Sequence, residues 1–148
     1  MRCLNRALIA LTVSCGILAA TPALTQTADL MVMPETIKWN PIPMSPGAEA
    51  SYLMSDGAKP EAYVLRVRIK QDAKIPPHSH PDARVITVIS GEIFAGRGEK
   101  IDPAGATVVP AGGLFTMPAG VVHWVQGKSD AMYQETGTGP TGTKFAIQ

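Results

Sequence analysis

What confines this fold most is how often the chain is interrupted. Fourteen glycines and thirteen prolines are spread through 148 residues. Beyond the first twenty-five positions the breakers leave only short apolar pieces, rich in β-branched residues and too brief for helices of ordinary length. The clearest is residues 62–70, where Tyr63, Leu65, Val67 and Ile69 alternate with Val64, Arg66, Arg68 and Lys70. Such alternation is a strand with one buried and one wet face. Further short strands are expected at residues 35–39, 50–54, 84–90, 92–96, 107–109, 114–117, 121–126, 131–135 and 144–147. Many short strands at this spacing, with no internal repeat, predict an all-β sandwich or barrel. A turn-rich N-terminal arm at residues 26–60, broken by Pro34, Pro41, Pro43, Pro46, Gly47, Gly57 and Pro60, is expected to precede the barrel domain at residues 61–148.

The N-terminus has its own logic. Arg2 and Arg6 make a positive start, residues 7–20 are mostly apolar, and small residues follow. Residues 1–25 are therefore predicted to be a secretory signal peptide, cleaved between Ala23 and Ala28, which sends the chain to the periplasm or outside the cell. The run is short for a transmembrane anchor. A lipidated Cys15 is the alternative, weakened because the apolar run continues through Ile17 and Leu18. Cys3 and Cys15 both lie in the signal, so the mature domain must hold together through its core without disulfides. With 13 basic and 12 acidic residues, no electrostatic footprint for nucleic acid is visible. No membrane contact is expected after cleavage, and a homodimer is left open.

The chemistry-bearing residues are the three histidines. His78 and His80 are two apart in Ile75-Pro-Pro-His-Ser-His80, a spacing that sends both rings to one side of an extended segment. His123 follows a proline-glycine turn in Pro118-Ala-Gly-Val-Val-His-Trp124 and could be brought back beside them. Exposed histidines on a strand edge are the competing reading, but rings flanked by Ile75, Val85 and Ile86 need partners if buried, and a metal suits them. With every histidine committed, no Ser-His-acid set remains, and Gly96-Arg-Gly98 lacks the lysine and helix of a phosphate loop. Met31, Met33, Met44 and Met54 lie in an irregular segment and read as gap fillers rather than copper ligands. Trp39 is expected in the core or in a lid, and Trp124 and Phe115 in the core or an interface.

These residues resemble the two signatures of the cupins. Pro77-His-Ser-His80 with Ser90-Gly91 is similar to the first, and Gly112, Pro118, Gly120 and His123 match the second position for position. The likeness runs over about residues 63–139. It implies a single-domain jelly-roll β-barrel in which His78, His80 and His123 bind a divalent ion, one of manganese, iron, nickel, copper or zinc. It further implies a dioxygenase, isomerase or decarboxylase acting on a small anionic or enolic molecule, with a non-catalytic domain that binds or senses a small organic acid as the alternative.

One position departs from the pattern. Where the family's glutamate ligand would fall, four residues after His80, stands Arg84. A guanidinium about 5 Å from a dication would feel repulsion on the order of 7 kcal/mol at an effective dielectric near 20. Three arrangements resolve this: Asp82 neutralises Arg84, an anionic ligand bridges Arg84 and metal, or the metal is gone and the pocket binds a small acid. Arg84 is thus the candidate catalytic and substrate-binding group. Gln134, on a late strand, is a second substrate-binding candidate, while Glu92 and Glu135 are disfavoured as replacement ligands because their strand parity points them away.

Overall fold

The computed structural model describes residues 29–146. The expected signal peptide, both cysteines and Ile147 lie outside them. Among the described residues nearly all regular structure is β: β1 (Asn40–Pro41), β2 (Ala48–Met54), β3 (Ala62–Ile69), β4 (Lys74–Ser79), β5 (Arg84–Ser90), β6 (Glu92–Arg97), β7 (Thr107–Pro110), β8 (Leu114–Met117), β9 (His123–Gly127), β10 (Ala131–Thr138) and β11 (Lys144–Phe145). They form two antiparallel sheets, one ordered β1-β2-β3-β10-β5-β8 and the other β11-β4-β9-β6-β7. The fold is an all-β jelly roll.

The core lies between the sheets. Val67 and Ile69 of β3, Ile86 and Val88 of β5 and Tyr133 of β10 meet Ile75 of β4, Ile93 of β6 and Val125 of β9, all buried. Each comes from the inward set of an alternating strand, and burying a side chain of this size stabilises by about 1.5–3 kcal/mol. On the outer face of the first sheet, Arg68 bridges Glu49 at 2.6 Å and lies 4.6 Å over the Trp39 ring. Trp39 is therefore half-buried against an arginine rather than inserted in the core.

The turn-rich segment supplies strands to this sheet. β2 pairs along β3 from Ala48↔Ile69 to Met54↔Val64, and β1 adds to its edge. Residues 35–39, expected to be extended, instead begin in a single 3-10 turn at Pro34–Thr36. Proline opens that turn and the Thr36 hydroxyl donates to the Met33 carbonyl at 2.8 Å.

One irregularity positions the site. β4 pairs with β9 at Ile75↔Val125 and at His78↔His123, so three steps on β4 oppose two on β9. This is a β-bulge, placed at Pro76-Pro77, where the missing N–H groups make regular pairing impossible. The extra residue switches the inward parity, and Ile75, His78 and His80 all face the interior.

Candidate metal centre

Three elements converge on the histidines. His78, one residue before the end of β4, lies directly opposite His123 on β9. Gly120, in the turn before β9 with φ of 74°, donates its N–H to the His80 carbonyl at 2.8 Å. A backbone at positive φ suits glycine, so this turn both delivers His123 and ties it to the first histidine segment. Ring centroids are 4.3 Å apart for His78–His123, 4.8 Å for His78–His80 and 5.2 Å for His80–His123. All three are buried, with one ligating atom of each within 4.8 Å of the others.

The hydrogen bonds decide which nitrogens are free. Nδ1 of His78 donates to the Pro76 carbonyl at 2.7 Å, Nδ1 of His80 to the Gly142 carbonyl at 2.7 Å and Nδ1 of His123 to the Val121 carbonyl at 3.0 Å. A carbonyl only accepts, so each Nδ1 carries the proton and each Nε2 keeps its lone pair. Burial pushes the imidazoles of His78 and His80 from the ordinary 6.5 down to about 4, with the neighbouring His123 ring adding to this at His78 and Arg84 at His80. Burial lowers His123 as well. Three neutral imidazoles with locked tautomers are the donor set a divalent ion requires. The Nε2 of His80 is buried with no hydrogen-bond partner among the described residues, a cost that an ion would remove. Bonds of about 2.0–2.1 Å would set ligand nitrogens about 3.3 Å apart, within reach of ring rotation from the observed spacing.

Arg84 lies beside the cluster with both Nη atoms hydrogen-bonded, while its buried Nε makes no hydrogen bond. Its Nη1 donates to Glu135 Oε2, its Nη2 donates to the Thr141 hydroxyl at 2.6 Å, and its Nε is 3.4 Å from Asp82 Oδ2. The guanidinium also stands 5.6 Å over the Tyr63 ring. Asp82 accepts from the Tyr63 hydroxyl at 2.5 Å and from the Thr141 hydroxyl. Burial alone would raise the Asp82 carboxyl, but these hydrogen bonds and Arg84 outweigh it and hold it below the usual carboxylate range. Two carboxylates against one guanidinium leave the group with an excess of negative charge, which removes the repulsion a lone arginine would exert on a cation. Gly137 makes room for this: a Cβ there would sit 2.6 Å from the Tyr63 hydroxyl and 2.7 Å from Asp82 Oδ2.

A cavity of about 410 Å³ opens onto the cluster. His78, His80, Tyr133 and Glu135 form its floor, Leu65, Val67, Ile75 and Phe145 its apolar walls, and Asn40, Pro41 and Pro43 its exposed rim. Three expectations are corrected here. Gln134 does not face the cavity; its Oε1 accepts from Arg66 Nη2 at 2.8 Å on the opposite side of β10, because buried Tyr133 and Glu135 take the inward positions. Arg84 does not line the cavity either, since its fork is taken by Glu135 and Thr141 behind the wall. Glu92, as expected from parity, is at the surface, 3.1 Å from Lys128. The expectation that strand parity points Glu135 away is corrected as well: it is buried and faces the cavity, sharing one parity with Ala131, Tyr133 and Gly137. Not singled out from the sequence were Thr141 and Thr143, which lie in the irregular segment before β11, and Phe145, which β11 pairs with His78.

Comparison with known proteins agrees with this architecture. Residues 27–140 match the family described as the ChrR cupin-like domain. A 62-residue stretch is 32% identical to germin-like protein subfamily 3 member 4 of Arabidopsis thaliana, covering 41% of this chain and 30% of that protein's length. The polyketide cyclase RemF of Streptomyces resistomycificus superposes with a TM-score of 0.67 at 16% identity, over 80% of this chain and 85% of that one. A salicylate 1,2-dioxygenase variant of Pseudoaminobacter salicylatoxidans, in complex with gentisate, superposes with a TM-score of 0.59 at 16% identity, over 73% and 32%. At such identities the structural likeness carries the fold alone.

Proposed function

The chain belongs to the ChrR cupin-like domain family, and from that premise we propose that it is an exported, metal-dependent enzyme acting on a small enolic or otherwise oxygen-bearing organic molecule. His78, His80 and His123 are its metal ligands. The observation that carries this reading is the set of three buried imidazoles, each with Nδ1 bound to a carbonyl and Nε2 free, beside a cavity large enough for a small molecule. A divalent ion there would act as a Lewis acid toward a ligand oxygen, chemistry common to dioxygenase, isomerase and decarboxylase reactions. The chain's own residues do the rest: the carbonyls of Pro76, Val121 and Gly142 hold the rings in one tautomer, and Leu65, Val67, Ile75 and Phe145 keep water from the face where a ligand would meet them. Residues 1–25 direct export to the periplasm or beyond.

Metal-free protein titrated in turn with manganese, iron, nickel, copper and zinc tests the ligand assignment. One ion per chain is expected for at least one of them, with a gain of about 2.7 kcal/mol in unfolding free energy at a hundredfold excess over Kd. His78→Ala, His80→Ala and His123→Ala should each abolish that gain. Stoichiometric uptake that survives all three substitutions would refute the assignment, and a loaded protein that turns over no enolic or phenolic compound would refute the enzymatic part.

A further inference from the structure

On the reading that the histidines hold an ion, we infer that the cavity takes a largely apolar molecule carrying a hydroxyl of phenol or enol type, and that Glu135 receives the hydrogen bond from that hydroxyl. The argument is one of charge and of donors and acceptors in the wall. The lining is mostly aliphatic and aromatic; Asn40, Tyr52, Tyr133 and Thr143 are neutral polar groups in it, and Glu135 is its one carboxylate. A carboxylate only accepts hydrogen bonds. Oε2 of Glu135 is taken by Arg84, and the residue is buried, so Oε1 is the acceptor that a ligand in the cavity can use. A buried acceptor favours a ligand that brings a donor and penalises one that brings only acceptors.

The same wall offers an anionic ligand no free arginine, although Arg84 invites one in the sequence. The guanidinium is held by Glu135, Thr141 and Asp82 behind the cavity surface. In metal-free protein an incoming carboxylate would therefore meet Glu135 with the guanidinium already occupied, so any attraction for an anion has to come from the ion itself. Glu135 lies on β10, outside both histidine segments, so its role is separable from that of the ligands. Arg84 is its positioning residue: it fixes the rotamer and orients the carboxylate without touching the ligand.

Three probes built on one ring system distinguish donor from charge: 1-naphthol, 1-methoxynaphthalene and 1-naphthoate. Their affinities are measured by calorimetry on zinc-loaded and on metal-free protein. In wild-type protein 1-naphthol should bind at least tenfold more tightly than 1-methoxynaphthalene. In Glu135→Gln the ratio of naphthol to naphthoate affinity should fall at least tenfold, with zinc affinity unchanged. Equal binding of naphthol and its methyl ether, no naphthol binding at all, or a ratio that falls less than tenfold would each overturn the inference. So would a collapse of zinc affinity in Glu135→Gln, which would make Glu135 a metal ligand. Should that variant fail to fold, the comparison of naphthol with its ether on wild-type protein decides alone. Failure of the protein to take up zinc or any other ion would sink the metal reading, while the ratios in metal-free protein still judge the role of Glu135.

Discussion

Replacing Arg84 by methionine, which nearly fills its volume, removes the cation between two buried carboxylates. The side chains of Arg84, Asp82 and Glu135 retain only 3%, 7% and 10% of their accessible surface. Breaking a buried pair by deleting one partner costs about 3–5 kcal/mol, because the survivor is left charged and poorly solvated. For a domain of about 120 residues the unfolding entropy near the midpoint is about 0.25 kcal/mol/K, so a loss of about 4 kcal/mol lowers Tm by roughly 16 °C. The assay is thermal unfolding with a chelator present, so that metal affinity does not enter. Asp82 sets the pH dependence. Its folded pKa lies below the ordinary 3.8, so the stability it contributes is fully present above that value and is lost as pH falls through the folded one. The deficit of Arg84→Met should therefore be largest at pH 7 and shrink below about pH 4. Adding Glu135→Gln should recover at least about 1 kcal/mol, since the double variant leaves one buried charge fewer. A Tm within about 3 °C of wild type, or a deficit independent of pH, would refute the claim that Arg84 is held as a buried counter-charge.

The remaining predictions are more local. Folded values near 4 for His78 and His80 against an ordinary 6.5 mean that the unfolded chain takes up protons first as pH falls, so metal-free protein should lose stability between about pH 6.5 and 4, by at most on the order of 3 kcal/mol per histidine. Flat stability over that window, followed by chemical denaturation, would show the rings to be solvated. Gly137→Ala should cost about 1–3 kcal/mol by driving a methyl group into the Tyr63–Asp82 hydrogen bond; unchanged stability would place that pair elsewhere. Gly96→Ala puts a Cβ onto the Trp124 indole and should both destabilise and shift the tryptophan emission in a Trp39→Phe background, whereas an unaltered spectrum would contradict the close approach.

The fold was legible wherever one apolar set dominated. Tyr63, Val67 and Ile69 lie inward as their alternation requires, each 1–2% exposed. The shared direction of His78 and His80 was legible from their spacing, while the approach of His123 was legible only through the resemblance of the two motifs. What could not be read depends on contacts distant along the chain. The partners of Arg84, Glu135 and Thr141, are 51 and 57 residues away, and no local pattern encodes their approach. On β10 two adjacent polar residues compete for the inward position, and only the burial of Tyr133 selects Glu135 over Gln134. The bulge at Pro76-Pro77 is a similar case: prolines announce an interruption, but only the pairing with β9 shows that it changes parity and lets Ile75 and His78 share one face.

The central claim is that His78, His80 and His123 together hold one ion. Crystals of metal-loaded protein measured at the absorption edge of the bound metal test it most directly. A single anomalous peak per chain, about 2.0–2.2 Å from the Nε2 atoms of all three rings, is the expected result. A peak bonded to Nδ1, a peak away from the cluster, or none between the three rings would contradict the account.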